Sequence, residues 1–475
     1  MNLKELSNFY LKWENENDLY NYKINNFPIY VFFRMQFYHC FLFGNDVVEE
    51  LSKEGLGSVK KVNKKKVLIN SLLFFFNLKK LKKNNLIISN TSNRKNVNGY
   101  YKDIMFDNIC DFKLKDYAIL EFPQLGTYHY NQSYKKENIV YGDFLYLAER
   151  FVKPKINLKD AEVIIEIIID NFALFWEKYH SRKFDKSLLK TELLLKLKRN
   201  ISRIPIYKKL LAYVKPKAIY LKAGYAPQSQ IITQISKELN IDIVEVQHGH
   251  IYSLHGGYTL PKEKNKGFFP NYLAVWSNYY KNIVINNGWD KNSVKVFGDF
   301  TQIKDINDID VFKTLKPKDV LKKIVNNHKY IVTVVCQHSI EGVFSNFLKQ
   351  IKTIEKRNIG VILKLHPRLQ EKQTLFFKHI LKDFDNIYVI GNTDIKECFN
   401  VSNLVVGVYS TALIEALEYG LPVHLIDCKE SQFLDDLLKL NLVRLSGGID
   451  ESYKILSEDN HNLRTCVFRE KFNFF

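Results

Sequence analysis

The chain has 475 residues, 46% of them hydrophobic and 25% charged, which excludes a disordered or fibrous polypeptide. At roughly 100–200 residues per domain it exceeds one ordinary core and holds two or three domains. There are 70 basic and 51 acidic residues, a net charge of +19 that suits nucleic acid, anionic lipid or anionic small substrates such as sugar nucleotides.

The first twenty residues lack the apolar segment of a signal peptide, and no run of about 18 apolar residues occurs. A membrane-spanning helix is therefore not expected. Six scattered cysteines without a C-x-x-C pair indicate neither a zinc ribbon nor a disulfide framework and fit the reducing cytoplasm. The first ~60 residues read as helical and aromatic-rich. No acid occurs between Glu54 and Asp103, and lysines flank the apolar "VLINSLLFFFNL". This segment is too short to span a bilayer, but it suits an interfacial anchor on an anionic membrane. The lysines concerned are Lys60, Lys61, Lys64, Lys65, Lys66, Lys79, Lys80, Lys82 and Lys83.

Short apolar runs then alternate with helical patterns: "NLIIS", "YAILEF", "AIYLKAG", "DIVEVQHG", "YLAVWS" and "VKVFG". The alternation predicts a parallel sheet wrapped in helices. The polar stretch after Gly298 predicts the crossing to a second domain, with residues 1–300 on one side and 301–475 on the other. A second series begins at Tyr330: "YIVTVVCQ", "GVILKLHP", "IYVIG", "LVVGVYS", "PVHLID" and "LVRL". The expected fold class is thus α/β, with two Rossmann-like domains facing a central cleft and a helical, basic N-terminal portion.

Polar side chains collect where these strands should end. Gln247 and His248 precede the flexible Gly249, and Gln337 and His338 end a strand of the second series. Lys364, His366 and Arg368 flank Pro367, which stops a strand because it lacks an N–H. This basic cluster is placed to meet a phosphate, so Lys364, His366 and Arg368 join Gln337 and His338 as candidate donor-binding residues. Ser410 or Thr411 caps the helix that follows "LVVGVY", and free amides at a helix start attract anions. Glu415 lies one turn further on, where a carboxylate can accept hydrogen bonds from ribose hydroxyls. His248, His250 and His255 invite a metal reading, but no Asp, Glu or Cys completes a compact set. Asp308 and Asp310 imitate a D-x-D metal motif, yet lie in the polar crossing and read as solvated charge. No Gly-rich dinucleotide fingerprint or phosphate loop is present, and no nucleic-acid reader motif occurs.

The set "VQHG", "W..YYKNIVINNGWDKNSVKVFG", "KLHP" and "YST..IEALEYGLPV", spread over Ala218 to Val423, resembles bacterial glycosyltransferases of the two-Rossmann-domain, GT-B type. The resemblance is nearest to enzymes that build capsules, lipopolysaccharide O-chains and teichoic acids, such as capsule-synthesis Kdo transferases and CDP-glycerol glycerophosphotransferases. It implies donor-binding positions for His366, Ser410, Thr411 and Glu415, an acceptor-facing position for His248, and chemistry without a metal or other cofactor. The expected partners are a CMP-, CDP- or UDP-linked donor and a glycan or lipid-linked glycan acceptor, with no nucleic acid. The expected place of work is the cytoplasm, peripheral on the inner face of the cell membrane. An imidazole near pKa 6.5 can take a proton from an acceptor hydroxyl, so in an inverting transfer His248 is the candidate base, and in a retaining one it binds acceptor or donor; Gln247 orients it or binds a sugar. Transfer of glycerol phosphate on the same fold is the nearest alternative. A non-catalytic nucleotide-sugar or nucleic-acid binding protein is the alternative of another class.

Overall fold

A computed structural model describes residues 2–24, 27–44, 64–97, 99–123, 128–152, 158–180, 183–261, 267–298, 319–337, 340–349, 358–366, 374–377, 381, 384–391 and 393–446. The chain divides into two compact units. One runs to residue 303 apart from 252–254, and the other continues from residue 304. The polar crossing anticipated from the sequence, with Asp308 and Asp310, lies outside the described residues.

The first unit opens with helices α1 (Leu3–Glu16), α2 (Arg34–Phe43) and α3 (Lys64–Asn77). Strands β1 (Asn85–Asn90), β2 (Tyr117–Phe122) and β3 (Ile139–Tyr141) come next. Helices α4 (Asp143–Phe151), α5 (Leu158–His180) and α6 (Lys186–Val214) separate these from the remaining strands. The last four are β4 (Ala218–Lys222), β5 (Asp242–Val246), β6 (Tyr272–Val275) and β7 (Val294–Val296). All seven pair in parallel, in the order β7-β6-β5-β4-β1-β2-β3. Parallel strands covered on both faces must be apolar throughout. In β2 all six residues are buried, Glu121 included. The strand β3, which the sequence reading passed over, is three residues long and too short to show a period.

The N-terminal helices form an aromatic layer. Trp13 of α1 meets Phe172 and Phe175 of α5 at ring-centroid distances of 5.4 and 5.2 Å, and Phe41 of α2 stacks on Phe175 at 4.4 Å. Buried within this layer, Arg34 donates from Nε and Nη2 to the two carboxylate oxygens of Glu14, at 2.5 and 2.9 Å. The Tyr20 hydroxyl also donates to Glu14.

The second unit holds β8 (Tyr330–Val335), β9 (Ile359–Lys364), β10 (Ile387–Ile390), β11 (Leu404–Gly407), β12 (Val423–Ile426) and β13 (Arg444–Ser446). They form one parallel sheet in the order β10-β9-β8-β11-β12-β13. Helix α7 (Thr411–Glu418) follows β11. Val334, Val361, Leu363, Leu404 and Val406 give the core its centre.

Both sheets are therefore Rossmann-like: in each, the first and fourth strands of the series are neighbours and the order reverses between them. Loops leaving the carboxyl ends of such a pair diverge, and the crevice they leave is where ligands of this fold class sit. In the first unit the reversal falls between β1 and β4, and in the second between β8 and β11.

Candidate functional site

His248 follows β5 by two residues and is half-buried. Its ring is held from both sides: Nε2 lies 3.2 Å from the Tyr225 hydroxyl and Nδ1 lies 3.2 Å from the Tyr258 hydroxyl. Tyr258 is also hydrogen-bonded to Glu245, a buried carboxyl on β5. Burial pushes Glu245 up to about 7, although Gly224 N–H and the Tyr258 hydroxyl donate to it; its Oε1 is buried with no hydrogen bond. Burial, with the positive charge of Lys222, pulls His248 down to about 4, so the imidazole is neutral at pH 7. Lys222 ends β4 and donates to Asn93, which follows β1, so this pair spans the strand reversal. When Glu245 is ionised, the Tyr258 hydroxyl donates to it and accepts from His248 Nδ1–H. The lone pair is then left on Nε2, the nitrogen beside Tyr225. The chain Glu245–Tyr258–His248 thereby selects a tautomer, as the orienting group does for any imidazole base.

Gln247 is fully buried and engaged at both ends of its amide. It donates to Gly249 O at 2.9 Å and accepts from Trp276 N at 2.9 Å. This geometry gives it a splinting role between the ends of β5 and β6, one that fixes the backbone beside His248. The loop beyond is clamped by the aromatic layer. Arg34 donates to Gly256 O at 2.5 Å and to Thr259 O at 2.8 Å. Gly256 lies against the Tyr38 ring and Gly257 against the Tyr225 ring, and neither place has room for a Cβ. His250 pairs with the Tyr280 hydroxyl, and His255 accepts from Gly257 N; burial pulls both imidazoles down to about 3. Among the described residues no group of three or more His, Cys, Asp or Glu side chains is arranged to hold a metal ion.

In the second unit the groups identified from the sequence divide between the strand reversal, where Gln337, Ser410, Thr411 and Glu415 lie, and the end of the neighbouring β9, which carries Lys364 and His366. Gln337, two residues past β8, accepts from Tyr409 N at 2.8 Å and so bridges the ends of β8 and β11. Ser410 caps α7, accepting from Ala412 N at 3.3 Å, and Thr411 is exposed at the helix start. Glu415 is half-buried one turn along, and His366 is half-buried just beyond β9. Lys364 is buried and donates to Leu365 O and Gly391 O, at 3.2 and 2.8 Å. Its ammonium stitches the ends of β9 and β10 and fixes the start of the loop that carries His366. His338 and Arg368 lie outside the described residues.

A second buried polar group in the first unit has no counterpart in the sequence reading. His129 lies between two carboxylates, with Nδ1 2.7 Å from Glu121 and Nε2 2.8 Å from Asp143. Arg94 pairs with Glu121 and lies 3.6 Å from Asp107. The partners are 8, 14 and 27 residues apart and lie on different elements, so no local period joined them in the sequence.

Burial draws His129 down, but the hydrogen bonds to Asp143 and Glu121 outweigh it and the imidazole is raised above 6.5. A raised histidine contributes stability that is present below its unfolded value of 6.5 and is lost as pH rises through the folded value. Thermal unfolding should therefore show a melting temperature that falls as pH climbs from about 6.5. His129→Gln should melt lower near pH 6 and lose that dependence; an equal slope in both proteins would remove His129 from the role. Asp107, raised by burial and Asp103 to about 7, adds a fall of the same sign, but one that begins in the ordinary Asp range and is complete near pH 7, and it remains in His129→Gln.

No protein-family model matches the chain, and no curated protein matches it. Solved structures are similar in fold. UDP-GlcNAc 2-epimerase from Neisseria meningitidis bound to UDP-GlcNAc is 12% identical, over 82% of this chain and 95% of that one, with a TM-score of 0.48. The Methanocaldococcus jannaschii UDP-GlcNAc 2-epimerase in complex with UDP-GlcNAc and UDP is 15% identical, over 82% and 98%, at 0.44. A glycosyltransferase from Rickettsia africae is 12% identical, over 82% and 95%, at 0.46. Likenesses this distant leave the activity to the chain's own residues.

Proposed function

We propose that the protein is a nucleotide-sugar-dependent glycosyltransferase that adds to a bacterial surface glycan, with the donor nucleotide held by the second unit and the acceptor by the first. The observation that carries the reading is the Gln337–Tyr409 bridge beside the capped start of α7, at the strand reversal where this fold class takes its ligands. The amides of α7 and His366 face the leaving phosphates in this reading, joined by Arg368, and Glu415 accepts from the ribose. In an inverting displacement the acceptor oxygen attacks the anomeric carbon and its proton passes to His248 Nε2. The bond from that carbon to the phosphate oxygen breaks, and the nucleotide leaves with the charge. The acceptor is lipid-linked, and the lysines around α3 hold the protein to the anionic inner face of the membrane. No helix among the described residues is long and apolar enough to cross it.

A thermal-shift screen with CMP, CDP, UDP, GDP and ADP tests the donor site. The cognate nucleotide at 100 times its Kd should stabilise by about 2.7 kcal/mol. Glu415→Ala should weaken that nucleotide roughly ten- to a hundredfold, the value of one or two hydrogen bonds to a charged group, with unchanged melting. No shift with any nucleotide, or an unchanged affinity in the variant, would remove the assignment. Turnover of CDP-glycerol alone among donors would identify a glycerophosphotransferase. Conversion of UDP-GlcNAc without any acceptor would identify an epimerase, and tight binding without turnover a non-catalytic protein.

A further inference from the structure

Helix α3 is unusual for a protein surface. Leu68, Ile69, Leu72, Leu73, Phe75 and Phe76 are between 45 and 83% exposed, within 14 residues. Its inner side is anchored by Phe74, which stacks on Phe144 of α4 with centroids 5.5 Å apart. An apolar surface of this extent, contiguous along one helix, marks a contact with something apolar. The charges say what kind. Lys65 and Lys66 lie in the first turn and Lys79 and Lys80 follow the last, and no acid lies on the helix. Cations at both ends of an exposed apolar helix suit an anionic bilayer surface, with the apolar face in the acyl boundary and the lysines among phosphates.

Behind this helix lies a cavity of about 600 Å³, bounded by α3, β3 and the segment around Tyr128. Its lining is mixed. Ile69, Leu73, Phe74 and Val140 are apolar, and Ile69 and Leu73 also belong to the exposed face, so the two surfaces are continuous. Among them stand Asn70, Asn77, Tyr128 and His129, with the Asn70 amide donating to the Tyr128 hydroxyl at 2.8 Å. Three lysines, Lys66, Lys80 and Lys136, line it against one carboxylate, Glu137. A cavity that is continuous with an exposed apolar face and lined by an excess of lysines fits a molecule that is apolar at one end and phosphorylated at the other.

We propose that this cavity binds the phosphate-bearing end of a single lipid, whose chain leaves along the exposed face of α3 into the membrane. The inference rests on the reading that the acceptor is lipid-linked and gives that acceptor its place. Farnesyl phosphate, below its micelle concentration and without vesicles, is the probe, with farnesol and inorganic phosphate as its two halves. Farnesyl phosphate should bind at least about tenfold more tightly than either half, since neither alone meets both the apolar and the basic lining. Lys80→Gln with Lys136→Gln should weaken it about thirtyfold, the factor for losing two lysine–phosphate attractions, while binding to phosphatidylglycerol vesicles falls only about fivefold, the share of Lys80 alone. Leu72→Ser with Phe76→Ser should release the protein from vesicles and weaken farnesyl phosphate and farnesol alike, leaving the binding of inorganic phosphate unchanged. Melting temperatures confirm that each variant is folded.

Farnesyl phosphate that binds no better than farnesol or phosphate, or that ignores the lysine pair, overturns the cavity assignment even where vesicle binding survives. Retained farnesyl phosphate binding without vesicle binding supports the cavity and removes only the membrane reading. Concentration-dependent self-association that Leu72→Ser and Phe76→Ser abolish, with no binding of farnesyl phosphate, identifies a second copy of the chain as the occupant and overturns the proposal.

Discussion

His248→Ala should lower the transfer rate by at least about a hundredfold while nucleotide affinity stays native, because general base catalysis is worth about 10²–10⁴-fold. The half-buried ring makes two hydrogen bonds, to Tyr225 and Tyr258, so its removal should also cost roughly 1–2 kcal/mol of stability. That loss is too small to account for the rate. The pH profile separates chemistry from packing. With His248 near 4 and Glu245 near 7, the group that titrates closest to neutrality is the carboxyl. Ionised Glu245 draws the Tyr258 hydroxyl toward itself and leaves the His248 lone pair on Nε2. The rate should therefore rise with pH through about 7. Glu245→Gln should abolish that limb, and Tyr258→Phe should uncouple it while leaving substrate KM unchanged. A limb near 4 that persists in Glu245→Gln would confine the role to His248. A native rate in His248→Ala would return His248 to the structural residues.

Arg34→Met should produce the largest loss of stability, about 3–5 kcal/mol, because it leaves the Glu14 carboxylate buried without its cation. The residue is 3% exposed, and its side chain donates to Glu14 and to two backbone carbonyls of the loop beyond His248. A paired change distinguishes fold from positioning. Glu14→Leu with Arg34→Met removes both charges together and should recover most of the stability, as apolar replacements of buried ion pairs do. It cannot restore the hydrogen bonds to Gly256 O and Thr259 O. The double variant should therefore melt near the native temperature and still transfer slowly. Full activity in a stable double variant would show that the loop holds its place unaided.

What the sequence revealed follows the reach of its periods. Each apolar run with a helical pattern beside it became a strand of the parallel sheets, and the last, anticipated at "LVRL", lies over Arg444–Ser446. The groups at strand ends, Gln247, His248, Gln337, His366 and Ser410, were legible because a polar residue after an apolar run is a local signal. Their partners were not. Glu245 stood in plain view inside "VEV", but a single acid on a strand can face solvent as readily as a core, and only the fold shows it buried against Tyr258. Tyr225 lies 23 residues from His248, and Arg34 reaches a loop in the distant half of its unit. The lysine-rich segment was visible as charge; the cavity behind it depends on β3 and the Tyr128 segment, which no local pattern joins to it.

Arg34 and Gly256 are separated by 222 positions along the chain. At a synthesis rate of about 5–20 residues per second, the ribosome delivers Arg34 roughly 10–45 s before the carbonyls that complete its hydrogen bonds. The aromatic layer can gather once α5 has emerged, but the Glu14–Arg34 pair within it stays incompletely satisfied until the His248 loop arrives. The loop in turn has no clamp until it meets residues made at the start. Nascent chains that stall before residue 256 should therefore be sensitive to protease around α1 and α2, and full-length chains should gain protection there in the same step that orders the His248 loop.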